Sequence, residues 1–206
     1  MKPTLYWSVD TQNDFMNKDG ALYVPDAESV KSKIGEVAQY AFRNKYARWG
    51  SADAHTKKDP EMKANGGMFE FHCMIGTRGQ KYIPEVALVY PLYVQNRVHD
   101  ESDLEKMLAH EGELIFEKQD FDVFANPNTS ELIKRKGFEK VVVYGVATDY
   151  CVKYAVLGMR KLGLDVYVVE DTARAITEEG GKAAWQEMLA AGAKRTTTKE
   201  VLEGRI

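Results

Sequence analysis

The chain has 206 residues, a formal net charge of −3 at neutral pH and 44% hydrophobic residues. Its pI near 5.9 and its scattered lysines and arginines give no electrostatic reason to expect binding to nucleic acid or to a membrane surface. No stretch approaches the roughly 20 apolar residues of a spanning helix, and the N-terminus has no long apolar signal region. The length predicts one domain over residues 1–206. Only two cysteines occur, which suits a reducing compartment, so we expect a cytoplasmic protein.

Strand and helix patterns alternate from the N-terminus onwards. A first strand is predicted over Leu5–Asp10, and apolar residues at helical spacing predict a helix that begins near Asp26 as its N-cap. A weaker strand follows around Ala47–Ala54. Residues 56–82 are rich in Gly, Lys and polar side chains and predict a long loop, which is more often functional than filler. Residues 86–98 fit either a small hairpin or an excursion at a sheet edge.

The alternation continues through the second half of the chain. A capping-box pattern at Ser102–Glu105 predicts the start of a helix. The other predicted elements are a strand at Glu113–Lys118, a helix at Ser130–Lys136 closed by Gly137, a strand at Glu139–Tyr144, a helix from Cys151 to Leu162, a strand at Asp165–Glu170, a helix at Thr177–Ala191 and a last strand at Arg195–Thr198. This pattern predicts an α/β fold, a mainly parallel sheet covered by helices. Ligands bind beyond the carboxyl ends of the strands in such sheets.

The segment Gly145-Val-Ala-Thr-Asp-Tyr-Cys151-Val joins a buried strand to a helix. The pattern predicts that Cys151 lies in the first turn of that helix. Unpaired backbone N–H groups and the positive end of the helix dipole there favour thiolate over thiol. A cysteine at such a junction can also simply fill space, as buried cysteines often do. The residues at the other strand ends decide between these two readings.

Two further chemically useful side chains stand at predicted strand ends, namely Asp10 and Lys118. Alone, an aspartate there is usually a turn or cap residue, and a lysine is usually solvated. Together with Cys151 they form a working set. A carboxylate can accept the thiol proton, a lysine can hold its charge partner and stabilise negative charge, and the sulfur can attack a carbonyl carbon.

Asp53, His55 and His72 predict a metal site. The first two are separated by one residue, so on extended backbone they point to the same side, and His72 lies in the neighbouring loop. One aspartate with two histidines is a common ligand set for a divalent metal that keeps open positions. The alternative is that both are ordinary loop histidines. Glu61 is a candidate for a further ligand.

Five segments of the chain carry a resemblance to a known family. They are Val9-Asp-Thr-Gln-Asn-Asp-Phe15, Asp53-Ala-His55, Phe71-His-Cys-Met-Ile-Gly-Thr-Arg-Gly79, Lys118, and Gly145-Val-Ala-Thr-Asp-Tyr-Cys-Val152. By these motifs the chain resembles the isochorismatase-like cysteine hydrolase superfamily, and within it the nicotinamidase or pyrazinamidase branch. The matching segments occur in the family's order and span most of the chain.

The resemblance implies a fold, a catalytic set and a cofactor. The fold would be a three-layer α/β/α sandwich with a six-stranded parallel sheet and a Rossmann-like topology. The implied site consists of a catalytic triad of Asp10, Lys118 and Cys151, metal ligands at Asp53, His55 and His72, oxyanion donors at the backbone of Ala147 and Cys151, and ring contacts from Phe15 and Phe69. A cis peptide bond is implied between Val146 and Ala147. The cofactor would be one divalent ion, with zinc first and iron, manganese or magnesium as alternatives. The partners would be a small amide substrate and further copies of the chain in a homo-oligomer.

The chain departs from the branch at two places. Glu70-Phe71 precedes His72 where Pro-Pro is usual, and Gln119 follows Lys118 where Gly is common. We therefore consider three hypotheses. The first is a metal-dependent nicotinamidase that forms a thioester, and the second is the same triad acting on another small amide, an N-carbamoyl compound or a ureido acid. The third is a binder without catalysis or a thiol redox sensor, in which Cys151 would be oxidised without turnover.

Overall fold

The computed structural model describes residues 3–206, and its centre is a sheet of seven parallel strands. In spatial order the strands are β3-β4-β2-β1-β5-β6-β7. Their bounds are β1 Thr4–Val9, β2 Ala47–Asp53, β3 Leu92–Val94, β4 Leu114–Lys118, β5 Lys140–Gly145, β6 Asp165–Val169 and β7 Lys194–Thr196. The strand order reverses at β1, which pairs with β2 on one side and β5 on the other. A reversal of this kind opens a crevice at the carboxyl ends of the strands, where α/β sheets bind ligands.

Helices cover both faces of the sheet. Their bounds are α1 Asn13–Met16, α2 Lys31–Arg43, α3 Glu101–Ala109, α4 Asn128–Lys136, α5 Lys153–Lys161, α6 Glu178–Ala190 and α7 Thr198–Leu202. Apolar residues of α1, α2 and α7 pack on one face, and those of α3 to α6 pack on the other. Successive residues of β1 and β5 alternate between these two cores, as the two-residue period of a strand requires. The three-layer α/β prediction is confirmed.

Several predicted details are wrong. The sheet has seven strands rather than six, because residues 86–98 contain β3, a short strand parallel to β4. Of the two alternatives for this segment, the excursion at a sheet edge is correct and the hairpin is wrong. Helix α3 begins at Glu101, where the Asp100 side chain accepts a hydrogen bond from the Asp103 N–H, so Ser102 is not its cap. Asp26 precedes a 3₁₀ turn over Ala27–Val30 instead of capping α2.

The long loop of residues 56–82 folds back on the sheet. Isolated bridges pair His55 with Met74, Met62 with Phe69, and Gln12 with Tyr82, so the loop lies against the crevice at the carboxyl ends of β1 and β2. Within residues 3–206, no helix has the length and apolar character needed to cross a bilayer.

Candidate active site

The predicted catalytic residues Asp10, Lys118 and Cys151 meet at the carboxyl ends of the central strands. The Lys118 ammonium nitrogen lies 2.9 Å from Asp10 Oδ2 and 3.4 Å from the Cys151 sulfur. It also forms an ion pair with Asp53. Lys118 and Asp10 are completely buried, and Cys151 is 8% exposed where it lines a pocket. Lys118 is therefore within hydrogen-bonding range of both Asp10 and Cys151, although the three residues are far apart in the chain.

Strand register explains how these residues meet. Val9, the residue before Asp10, pairs with both Ser51 of β2 and Gly145 of β5, and Lys118 pairs with Asp53. Asp10 has a φ of 44°, in the left-handed region that residues other than glycine rarely adopt. Such outliers cluster at functional sites. The Ser51 hydroxyl donates to Asp10 Oδ1 at 2.7 Å and holds the carboxylate in place.

The charges of these groups are strongly coupled. Burial raises the pKa of Asp10, and the Lys118 ammonium only partly opposes it. Burial lowers the pKa of Lys118, but the Asp10 and Asp53 carboxylates outweigh it and leave that pKa well above its usual value. Burial also raises the pKa of Asp53, yet the Lys118 ammonium and the two neighbouring histidines bring it well below its usual value. Lys118 is thus a permanent cation between two carboxyl groups.

Cys151 lies in a π-helical turn, Thr148–Val152, that precedes α5. This turn runs directly into α5, so Cys151 lies in the first helical turn after β5, as predicted. Burial raises the pKa of the Cys151 thiol well above its usual value, and Lys118 opposes this only in part. The neighbouring Asp10 carboxylate raises the pKa of the thiol further. These effects favour the thiol over the thiolate, opposite to the direction predicted from the helix dipole.

The backbone between β5 and this turn has the predicted cis peptide bond, between Val146 and Ala147. Gly145 ends the strand at a φ of +121°, and a Cβ atom there would collide with the Val9 carbonyl oxygen. Only glycine fits this position, because side chains are excluded by both the dihedral and the contact. Ala147 and Cys151 both line the pocket, as their predicted role as oxyanion donors requires.

The predicted metal ligands Asp53, His55 and His72 also converge. Their ligand atoms lie within 4.8 Å of one another, and all three residues are buried. Asp53 Oδ2 is 3.7 Å from His55 Nε2 and 3.6 Å from His72 Nε2. Glu61 Oε2 lies 3.6 Å from His55 Nε2, which places the fourth candidate at the same point.

The ring nitrogens of the two histidines in this cluster are arranged as a bound metal ion requires. The buried Nε2 atom of His55 has no hydrogen-bond partner, an arrangement that a bound ion would satisfy. The other ring nitrogens are held from behind, His55 Nδ1 by Asp59 at 3.1 Å and His72 Nδ1 by the Glu70 carbonyl at 2.8 Å. Outer contacts of this kind orient histidine ligands in metal sites. The donor set fits zinc and other divalent transition metals.

A narrow pocket leads to the sulfur and to the candidate metal site. About 370 Å³ of space between its walls is free of protein atoms, open solvent at the mouth included. The predicted ring contacts Phe15 and Phe69 both line it, with ring centroids 5.6 and 5.9 Å from that of His72. Sequence reasoning missed two further aromatic walls, Phe121 and Tyr150, whose rings contact each other at 5.0 Å. The remaining lining residues are Leu22, Val24, Asp53, Glu61, His72, Val146, Ala147, Cys151 and Ile176.

The two departures from the family pattern have different outcomes. Glu70 and Phe71 are exposed, and Glu70 pairs with Lys63 at 2.9 Å rather than entering the pocket. Gln119 turns away from the pocket and donates to the backbone carbonyl of Ala54 at 2.9 Å. Glu70, Phe71 and Gln119 are all absent from the lining of the cavity in which a ring would bind.

Comparison with known proteins agrees with this geometry. The isochorismatase domain model matches residues 7–200. The nicotinamidase of Escherichia coli K12 is 26% identical over 94% of each chain. The nicotinamidase of Acinetobacter baylyi is 39% identical, but over a segment that covers 34% of this chain and 33% of that protein. The pyrazinamidase of Pyrococcus horikoshii, solved in complex with zinc, has a TM-score of 0.77 at 24% identity over 95% of this chain and 99% of that chain, which shows a shared fold.

Proposed function

The chain belongs to the isochorismatase domain family, and we propose that it is a nicotinamidase, a metal-dependent cysteine amidohydrolase that converts nicotinamide to nicotinate and ammonia. It is an enzyme of the amidohydrolase type, as its nicotinamidase relatives and its family indicate. One observation carries the proposal. The sulfur of Cys151, 3.4 Å from Lys118 Nζ, has Asp10 beside it at the base of an apolar pocket.

The first half of the reaction begins with the thiol. The S–H proton of Cys151 moves to the Asp10 carboxylate, and the freed sulfur electron pair forms a bond to the carboxamide carbon. The C=O π electrons move onto oxygen, and the backbone N–H groups of Ala147 and Cys151 stabilise the oxyanion. Removal of one such donor typically costs about 10²–10³ in rate. Asp10 then gives its proton to the departing nitrogen, the C–N bond breaks, and ammonia leaves a thioester behind.

The second half uses the same base. Asp10 takes a proton from water as the oxygen attacks the thioester carbon, and the C–S bond breaks when the second oxyanion collapses. The proton returns from Asp10 to the Cys151 sulfur, which restores the thiol. Lys118 stays protonated throughout, because its pKa is raised well above its usual value, and it keeps Asp10 in place beside the sulfur.

The pocket residues orient the substrate. A divalent ion held by Asp53, His55 and His72, with Glu61 beside them, would supply a Lewis-acid position for the nitrogen of a pyridine or pyrazine ring. Phe15 and Phe69 contact His72 from two directions and would border a flat ring there.

The side chains that line the pocket favour a neutral carboxamide over the N-carbamoyl or ureido acids. The lining is largely apolar, and no lysine or arginine is among the described residues that line the cavity. The carboxylate of an N-carbamoyl or ureido acid would therefore find no lysine or arginine partner on this lining, and burial of an unpaired charge costs binding energy. Asp53 and Glu61 carry no weight in this comparison, because the divalent ion that they would hold offsets their charge.

The test is ammonia release by the purified protein from nicotinamide, pyrazinamide and an N-carbamoyl amino acid. We expect turnover of the two ring carboxamides and none of the third. Cys151→Ala and Cys151→Ser should abolish it while their circular dichroism matches the wild type. Acid quenching during turnover should leave a nicotinoyl group on Cys151, seen by mass spectrometry. Ammonia release that persists in both variants, or a preference for the N-carbamoyl compound, would overturn the proposal.

A further inference from the structure

The end of strand β2 carries the residues on which the whole site depends. Asp53 is the last residue of β2, and His55 follows two positions later. The neighbouring strands stop earlier or at the same level. The last paired residue of β1, Val9, stands opposite Ser51, and the last of β4, Lys118, stands opposite Asp53. The backbone groups from Asp53 onwards therefore need partners other than a regular strand ladder, because buried N–H and C=O groups are almost always paired.

Gln12 supplies partners on the β1 side. Its side-chain amide is fully buried and forms two hydrogen bonds with one backbone unit. Its Oε1 accepts from the Asp53 N–H at 2.8 Å, and its Nε2 donates to the Asp53 carbonyl at 2.8 Å. The second Nε2 hydrogen goes to the carbonyl of Gln80, also at 2.8 Å. The side chain thus takes the place of a neighbouring strand.

Gln119 does the same on the β4 side. The chain leaves β4 after Lys118, whose carbonyl accepts from the Ala54 N–H at 3.0 Å. The next group along, the Ala54 carbonyl, accepts from Gln119 Nε2 at 2.9 Å. Gln119 is itself held by Asn96, whose Nδ2 donates to Gln119 Oε1 at 2.8 Å. This contact ties the amide to the loop that follows the edge strand β3.

We propose that Gln12 and Gln119 are positioning residues that extend the hydrogen-bond ladder of β2 and so fix Asp53 and His55 in the geometry needed for metal binding. This inference rests on the proposed function, because the positions of Asp53 and His55 matter to the enzyme only if these residues bind a metal. The hydrogen bonds of Gln12 and Gln119 are present whether or not the protein has that function.

A small backbone shift at Asp53 would disturb contacts of both of its carboxylate oxygens. One of its carboxylate oxygens forms the ion pair with Lys118, and the other faces His55 and His72 at 3.7 and 3.6 Å. A movement of the backbone at residues 53–55 would change the metal donors and the lysine together. Outer contacts to metal ligands typically change metal affinity 10- to 100-fold when they are removed.

The main test is the variant Gln119→Met, which keeps the length of the side chain and removes both hydrogen bonds. Gln119 is only partly buried, so the fold should tolerate it. Gln39→Met is the matched control, because Gln39 is exposed on α2 and bonds only to Arg43 among the described side chains. Each protein is stripped of metal and titrated with zinc by calorimetry. We expect the zinc dissociation constant to rise about 10-fold in Gln119→Met and to stay unchanged in Gln39→Met.

Hydrogen exchange provides a readout that needs neither metal nor turnover. Peptides that span residues 51–57 should exchange faster in metal-free Gln119→Met than in the wild type, with no change in Gln39→Met. If Gln119→Met does not fold, Asn96→Ala takes its place with the same readouts. A folded variant with zinc affinity within twofold of the wild type, or with unchanged exchange over residues 51–57, would overturn the inference. If the wild type neither binds zinc nor hydrolyses a carboxamide, the proposed function fails, and the exchange comparison alone decides the positioning role.

Discussion

Lys118 offers the sharpest test of the site's electrostatics. It is completely buried between Asp10 and Asp53, and it is the only lysine or arginine that the described contacts place against either carboxylate. Lys118→Met keeps the side-chain volume and removes the charge, which leaves two buried carboxyl groups without a cation. Breaking a buried ion pair in this way costs about 3–5 kcal/mol. For a chain of this size the loss corresponds to roughly 6–20 °C in Tm, at about 2–4 °C per kcal/mol.

The loss of unfolding free energy in Lys118→Met should depend on pH in a defined direction. In the variant, burial and the Asp53 charge both raise the pKa of Asp10, and the lysine no longer opposes them. A group whose folded pKa lies above its unfolded value binds its proton more tightly when folded, so its contribution to stability is present at low pH and lost as the pH rises through the folded pKa. The loss of unfolding free energy in Lys118→Met should therefore be larger at pH 8 than at pH 5. The lowered pKa of Asp53 in the wild type makes a constant contribution in this window, since that carboxyl stays ionised there.

The assay is urea unfolding of metal-free protein, followed by tryptophan fluorescence at several pH values between 5 and 8. Lys182→Met serves as control, because Lys182 pairs with Glu178 on the exposed face of α6, where an ion pair contributes little. The reasoning is refuted if Lys118→Met unfolds with the wild-type free energy at pH 8, or if its loss of stability is the same at pH 5.

Four further outcomes follow from the site. Gly145→Ala should lower kcat by at least about tenfold and should also destabilise the fold, since its Cβ meets the Val9 carbonyl at a φ of +121°; steady-state assays and thermal melts check both. Phe121→Ala should raise KM for nicotinamide more than it lowers kcat, because the ring is a pocket wall, while Tyr154→Ala, at its outer side, should change neither. Chelation should raise KM for ring carboxamides and zinc should restore it, as initial rates with and without added metal will show. On the acid side kcat/KM should fall with a midpoint above the ordinary aspartate value of about 3.9, since burial raises the pKa of Asp10; a midpoint at or below that value would contradict Asp10 as the base.

The sequence predicted those parts of the molecule that have a local signature. Strands rich in β-branched residues and helices with an apolar stripe were correctly predicted, because burial imposes a period on the residues that form them. The motif positions Asp10, Lys118 and Cys151 were expected to meet, and the parallel sheet brings them together since the carboxyl ends of its strands share one edge. The catalytic and binding roles of these residues stay predictions until they are assayed.

The missed features lack such a signature. Strand β3 has only three residues, too few to show a period, and it pairs with β4 at the sheet edge. Phe121 lies in the loop after β4, and Tyr150 lies in the π-helical turn next to Cys151. Their aromatic character alone does not distinguish lining residues from core residues, so only the fold shows that both line the pocket. The thiolate character of Cys151 was predicted from unpaired backbone N–H groups and the helix dipole, whereas burial, which only the structure reveals, is the largest effect on its pKa and raises it.

The position of Asp53 links the two halves of the site in one carboxylate. One oxygen holds the Lys118 ammonium, which in turn contacts Asp10 and the Cys151 sulfur, and the other oxygen faces His55 and His72 in the candidate metal site. A substitution of Asp53 would therefore change the net charge around Cys151, and a substitution of Lys118 would change the net charge around the candidate metal ligands. Asp53→Asn keeps the shape and removes the charge, so it should lose zinc affinity and nicotinamidase activity together. His72→Ala should lose zinc affinity while Cys151 keeps its neighbours Asp10 and Lys118. If Asp53→Asn binds zinc more weakly but still forms the acyl-enzyme at the wild-type rate, metal binding and nucleophilic attack are independent of each other. The Asp53 carboxylate then does not couple the two parts of the site.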